Sequence, residues 1–188
     1  GTYQIKPGSY YEVIASSGKG KTSLLDILFV RRNDKDGQYF IDNQNAKSIN
    51  LNQWANLRTN EISYVFQGLR LFKHLTGWQN IEIKNRLTGT LSNNDILDLG
   101  EILQIKHQLS KRCGLMSYGQ QQRLAIIRAF AQPFQWLLLD EPFSHLDPEI
   151  AKVAADLIKT VANKREAGVI ITRLTNEEYL TTNQQIVL

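Results

Sequence analysis

Three short segments combine residue types and spacings that can do chemistry. The first, Val13-Ile14-Ala15-Ser16-Ser17-Gly18-Lys19-Gly20-Lys21-Thr22-Ser23, sets a glycine-containing turn between an apolar run and a helical pattern. Glycines let the backbone curl so that successive N–H groups point at phosphate oxygens, and the positive end of the following helix adds to their pull. In such a cradle Lys21 reaches the terminal phosphates and the Thr22 hydroxyl can ligate a divalent cation. The pattern G-x-x-x-x-G-K-[ST] departs only at its first position, where Ala15 stands. The second segment, Trp136-Leu137-Leu138-Leu139-Asp140-Glu141, delivers two adjacent carboxylates at the end of an apolar run. One can hold Mg²⁺ and the next can polarise a water for attack on phosphorus. The third, Met116-Ser117-Tyr118-Gly119-Gln120-Gln121-Gln122-Arg123, puts a serine and a glycine at the head of a helix whose Leu124, Ile127 and Ala131 form an apolar stripe. That is a second place where an anion can sit. If two copies met head to tail, each could close this site on a phosphate held by the other.

Strands and helices must alternate to position these segments. Tyr10 to Ala15 reads as a strand, Lys21 to Val30 as a helix, and Gln38 to Ile41, Glu61 to Phe66 and Trp136 to Asp140 as strands. Asp147-Pro148-Glu149 combines a capping residue, a proline suited to the first helical turn and an acid at the positive end. Ile150, Val153, Ala154, Leu157, Ile158 and Val161 then make one apolar stripe. Gly168 is expected to break this helix before a buried strand from Val169 to Thr172. Roughly from Leu69 to Cys113 the pattern is helical, with Ser92 and Asp95 spaced as a helix start. Alternation of this kind predicts an α/β fold.

Composition sets the class. The 188 residues are 42% hydrophobic and 21% charged, enough for one domain with a real core and too little for a large multidomain machine. A net charge of +4 is small and dispersed, so a nucleic-acid footprint is not expected. A single cysteine, Cys113, excludes an internal disulfide and favours a reducing compartment. The apolar runs Trp136 to Leu139 and Val169 to Ile171 fall far short of the about 20 residues that span a bilayer, so any membrane role is expected to be peripheral. The chain starts Gly1-Thr2-Tyr3 without Met and without an apolar leader, as a trimmed chain would. His74, His107 and His145 lack helical partners for a metal site, and Trp54, Trp78 and Trp136 read as packing or interface residues.

Taken in order, these segments resemble the nucleotide-binding domain of ABC transporters over nearly the whole chain. That family has a phosphate loop, a glutamine loop, a signature segment, an acidic strand, a turn before a helix and a switch histidine. Here they correspond to Ala15 to Ser23, Gln67 after Tyr64-Val65-Phe66, Met116 to Gln120, Leu137 to Glu141, Ser144-His145-Leu146-Asp147, and Thr172-Arg173. The segments Leu71 to Thr76 and Asn80-Ile81 also look like the stretch that follows the family's glutamine. The resemblance implies a single P-loop NTPase domain over 1–188: a mostly parallel sheet, an N-terminal antiparallel β portion, and a helical subdomain at about 69–116. It further implies that Ser17, Gly18, Lys19, Gly20, Lys21, Thr22 and Ser23 surround the phosphates of ATP. Thr22, Gln67 and Asp140 would arrange Mg²⁺, Glu141 would be the catalytic base, and Ser117, Gly119 and Gln120 would serve the ATP of an opposite protomer. Asp147 would sit between the two sites. The implied partners are a second ATPase subunit, in a homo- or heterodimer, and an integral membrane permease whose coupling helix meets the surface near Gln67. The implied location is the cytoplasmic face of the membrane.

Two departures bear on activity. Tyr118 replaces the first of two consecutive glycines in the signature, and its phenol must point away from the phosphate. Arg173 stands where the family has a histidine that contacts the γ-phosphate; an arginine fork binds phosphate oxygens but does not exchange protons near neutral pH. The resemblance therefore implies an ATP-hydrolysing transporter subunit. Its alternatives are a degenerate, ATP-binding regulatory subunit and a soluble non-transport ATPase of the same family. The family's adenine-stacking aromatic has no assigned counterpart; Tyr3, at the start of an expected strand from Tyr3 to Ile5, is a weaker substitute.

Overall fold

The computed structural model describes residues 3–15, 20–29, 38–41, 43–173 and 179–188. Five strands form an all-parallel sheet: β1 (Tyr10–Ile14), β4 (Ile62–Val65), β5 (Trp136–Asp140), β6 (Gly168–Thr172) and β7 (Gln184–Val187), in the order β4-β5-β6-β1-β7. A separate antiparallel pair, β2 (Phe40–Ile41) and β3 (Gln44–Asn45), lies in the chain between the helices α1 (Lys21–Leu28) and α2 (Leu51–Asn60). The strands β4, β5 and β6 are largely apolar because both their faces are covered, whereas β7 at the edge buries only Ile186. Side chains alternate between the two faces. Leu137, Leu139, Val169 and Ile171 pack on one face with Leu124 and Ile127 of α5 (Tyr118–Phe130) and Ala154 and Ile158 of α6 (Pro148–Lys164). Tyr64, Leu138, Ile170, Tyr11 and Val13 pack on the other with Leu25 of α1 and Trp54 and Leu57 of α2. Each such Leu or Ile contributes about 1.5–3 kcal/mol by leaving water.

Helix starts follow local chemistry. Capping boxes open α2 at Asn50 and Gln53, α3 (Gly77–Asn85) at Thr76 and Gln79, α4 (Asn93–Ile102) at Ser92 and Asp95, and α5 at Ser117 and Gln120. Asp147 caps α6 by accepting from the Ile150 N–H at 3.0 Å, with Pro148 at the first helical position. The α6 stripe is wider than its spacing suggests: Ala151, Ala155 and Ala162 are also buried, while Val153 and Val161 sit at its margin.

Several boundaries differ from the sequence pattern. The expected strand from Gln38 begins only at Phe40, and α1 ends at Leu28 with Phe29 as its cap; Val30 lies outside the described residues. Tyr3 to Lys6 form no strand; the Tyr3 hydroxyl instead donates to the Val187 carbonyl at 3.0 Å and accepts from its N–H at 3.1 Å. Gly168 is not what stops α6. The helix ends at Lys164, Glu166 takes the left-handed turn (φ 53°), and Gly168 already belongs to β6. Its missing side chain has another cause: a Cβ there would lie 2.3 Å from the Trp136 ring across the ladder.

Candidate functional site

Parallel topology brings the C-terminal ends of β4, β5 and β6 to one edge, where ligands of open α/β sheets bind. Gln67 follows β4, Asp140 ends β5, Glu141 follows it, and Thr172 ends β6. Helix α1 opens at this edge from Gly20, whose φ of 96° is a left-handed value that favours glycine. Lys21 reaches back across the loop, its ammonium donating to the Ala15 carbonyl at 3.3 Å. Ser17, Gly18 and Lys19 lie outside the described residues, as does Ser16.

Thr22, Gln67 and Asp140 line one cavity of about 110 Å³, together with Asp26, Tyr64, Phe66, Gly68 and Arg70. Asp140 is almost wholly buried, and its two oxygens differ. Oδ1 accepts from the Thr172 hydroxyl at 2.6 Å, whereas Oδ2 is buried with no hydrogen-bond partner among the described residues. A buried carboxylate oxygen left unpaired is costly. A hard cation resolves that cost, and a carboxylate, a hydroxyl and an amide carbonyl are the oxygen donors that Mg²⁺ takes. The residues present fit the ion. Among the described residues no cluster of three or more His, Cys, Asp or Glu side chains could hold a metal ion.

Glu141 stands beside this cavity in a left-handed conformation (φ 51°), unusual for a residue with a side chain. Three contacts hold it there. Its N–H donates to the Thr172 hydroxyl oxygen at 3.1 Å, its carbonyl accepts from the Ser144 hydroxyl at 3.1 Å, and its Oε2 accepts from the Gln67 amide at 3.1 Å. The sequence pattern assigned no task to Thr172, which bridges the two acids. Its one signal was a polar residue closing an all-apolar strand.

The signature segment meets the same region. The Ser117 hydroxyl accepts from the Gln120 N–H at 3.2 Å while Gln120 Oε1 accepts from the Ser117 N–H at 3.0 Å, so both residues first cap their own helix. As an acceptor in that bond, the hydroxyl still has its own proton to give. Gly119 is required by close packing: a Cβ there would sit 2.8 Å from the His145 carbonyl. The Tyr118 ring lies 4.2 Å from that of His145, and its hydroxyl donates to the Gln67 carbonyl at 3.0 Å. Asp147 is exposed next to these residues, at the head of α6.

Arg173 follows another course. Its guanidinium donates to the Leu180 carbonyl and lies 3.5 Å from Glu12 Oε2, toward β1 and the chain leading to β7 rather than toward Glu141 beyond β5. The structure thus brings Thr22, Gln67, Asp140 and Glu141 together and ties Arg173 to an acid on β1. Among the described residues no helix is long and apolar enough to cross a membrane.

Comparison with known proteins gives one consistent answer. The family model described as ABC transporter matches residues 2–144. The macrolide export ATP-binding/permease protein MacB of Photorhabdus laumondii is 30% identical over 174 residues, covering 91% of this chain and 27% of that protein. The phosphonates import ATP-binding protein PhnC of Lactiplantibacillus plantarum is 29% identical, covering 90% and 70%. The chain therefore spans about a quarter of the macrolide exporters it matches and most of the phosphonate importer. Among solved structures, the dimer of MJ0796, a bacterial ABC transporter cassette, superposes with a TM-score of 0.82 at 25% identity, over 92% of this chain and 78% of that one. The same cassette in a post-hydrolysis state bound to ADP and Pi gives 0.81.

Proposed function

Because the chain belongs to the ABC transporter family, we propose that it is the ATP-binding subunit of a transporter and hydrolyses MgATP at a dimer interface. The observation that carries this reading is the meeting of Thr22, Gln67 and Asp140 around one cavity, with Gln67 bonded to Glu141 at its edge. In hydrolysis a water oxygen bonds to the γ-phosphorus, the bond from that phosphorus to the bridging oxygen breaks, and ADP and phosphate leave. Glu141 takes the water's proton, with Gln67 and Thr172 fixing its orientation. Lys21 leaves the Ala15 carbonyl for the terminal phosphates, and Ser17, Gly18, Lys19, Gly20 and Ser23 surround the rest. Thr22, Gln67 and Asp140 would hold Mg²⁺, which when bound neutralises charge on the phosphates.

A second copy completes the pocket with its Ser117, Gly119 and Gln120, and Asp147 lies between the two sites. The post-hydrolysis dimer of the MJ0796 cassette supports this arrangement by likeness. The helical segment at about 69–116 and the surface near Gln67 receive a membrane permease at the cytoplasmic face, as the export and import relatives suggest. Closure does work on that partner because ATP binds the closed dimer more tightly than the open halves.

The test is phosphate release from MgATP by the parent and by Lys21→Ala, with calorimetric titration of MgATP. Loss of both binding heat and phosphate release in Lys21→Ala is expected. Equal release by the two proteins overturns the reading.

The Arg173 contacts favour one variation: a subunit that holds ATP without hydrolysing it and regulates a competent partner. Single-turnover product formation that is absent in the parent and restored by Arg173→His is expected under this variation; product from the parent at once rules it out.

A further inference from the structure

The helix α5 holds the loop after β4 at two points. Near its end, Arg128 forks onto the loop, one guanidinium nitrogen donating to the Leu69 carbonyl at 2.5 Å and the other to the Arg70 carbonyl at 2.6 Å. Both carbonyls belong to residues in the left-handed region, φ 54° and 51°, where side chains are disfavoured. Two such residues in succession persist only where something over-determines them. Arg128 is largely withdrawn from water, and burial lowers its pKa to about 10, so its fork is a committed contact and not a passing surface one.

At the head of α5 stands Tyr118. The residue is 43% exposed, so burial of apolar area alone does not account for its place. What it does make is specific: the ring rests against His145 in the turn before α6, and the hydroxyl reaches back to the Gln67 carbonyl. From the same residue the Gln67 amide goes on to Glu141. Tyr118, Gln67 and Glu141 are thus one hydrogen-bonded chain, and the segment 67–70 is pinned at its start by the first residue of α5 and at its end by Arg128.

We infer that Tyr118 is a positioning residue: through the Gln67 carbonyl its hydroxyl sets where the Gln67 amide holds Glu141, so the signature helix and the carboxylate move together. A glycine at this position has neither the ring nor the hydroxyl. The departure at Tyr118 replaces backbone freedom with a strut inside one protomer. The inference rests on the hydrolytic reading above for its effect on rate, while the strut itself needs no nucleotide.

Tyr118→Phe removes the hydroxyl and keeps the ring. Two measurements test it. In the nucleotide-free protein, trypsin cleavage after the exposed Arg70 is expected to be faster by about fivefold, as loss of one hydrogen bond implies. With MgATP, kcat is expected to fall by about fivefold with KM within about twofold, and this loss is expected to vanish in a Gln67→Ala background, since residues in one chain are not additive. Unchanged cleavage after Arg70 overturns the strut. A kcat loss of equal size in the presence and absence of the Gln67 side chain overturns the positioning role. If the parent releases no phosphate, the hydrolytic reading fails and the cleavage rates alone decide the strut.

Discussion

Thr172 stands opposite Asp140 across the β5–β6 ladder, and one hydroxyl serves both acids of the site: it donates to Asp140 Oδ1 at 2.6 Å and accepts the Glu141 N–H at 3.1 Å. The donation occupies Asp140 Oδ1 and leaves Oδ2 for a cation, while the acceptance helps keep Glu141 at its left-handed φ.

Thr172→Val keeps the shape of the side chain and removes both bonds. A second Asp140 oxygen then loses its partner in a buried place, at a cost of about 1–3 kcal/mol. Partners of this kind behind a metal ligand are worth about 10–100-fold in affinity or activity. The expected outcome is a fall of that order in magnesium affinity, read by calorimetric titration with ATP present. An affinity matching the parent's would show that Asp140 is oriented by something else.

Much of this arrangement was legible in the residues and some of it was not. The acidic pair, the Gly-Lys-Thr turn and the cap at Asp147 are local chemistry, and local chemistry survives folding: Asp147 caps α6 as its neighbours suggest. The partners of Thr172 and Tyr118 escaped because they lie 32 and 51 residues away and meet them only when strand register and helix docking are set. Helix α2 escaped for another reason. Its ten residues include Asn52, Asn56 and Asn60, poor helix formers, and Leu51 is 82% exposed, so the apolar stripe reduces to Trp54 and Leu57. The box of Asn50 and Gln53 and the packing of Trp54 against the sheet decide the helix instead. Arg173 shows the reverse case, a position assigned by resemblance whose side chain the structure joins to Glu12.

Gly168 supplies a test of packing that leaves the site alone. A Cβ at this strand residue would stand between 2.3 and 2.8 Å from three carbons of the Trp136 ring, which is itself partly buried against Tyr11. Gly168→Ala is expected to destabilise the fold by about 1–3 kcal/mol through overpacking. Adding Trp136→Leu should recover part of that loss by clearing the space. Urea midpoints of the two variants measure both effects, and a Gly168→Ala midpoint equal to the parent's would mean that the ring moves aside without strain.

Lys84 makes stability depend on pH in a direction that can be worked out. It extends from α3 toward β4, its ammonium donating to the Ser63 hydroxyl at 3.3 Å, and Ser63 in turn donates to the Ala129 carbonyl. Among the described residues no carboxylate shapes its titration. Burial first, and then the Arg128 guanidinium on α5, lower its pKa from 10.5 to about 7. The unfolded chain therefore binds one more proton than the folded protein between about pH 7 and 10.5, and in that window stability from this group rises with pH, by up to about 1.4 kcal/mol per unit. Below about pH 7 both states are protonated and the full penalty remains. Lys84→Met removes the charge without stripping Ser63 of its bond to Ala129. It is expected to be more stable than the parent by about 1–2 kcal/mol at pH 6.5, with the gap closing near pH 8 and reversing sign at higher pH as the parent gains stability. Urea denaturation of both proteins at pH 6.5, 8 and 9.5 reads the gap directly. A difference that stays constant across the three values would mean that Lys84 keeps its proton throughout, with a folded pKa above that range.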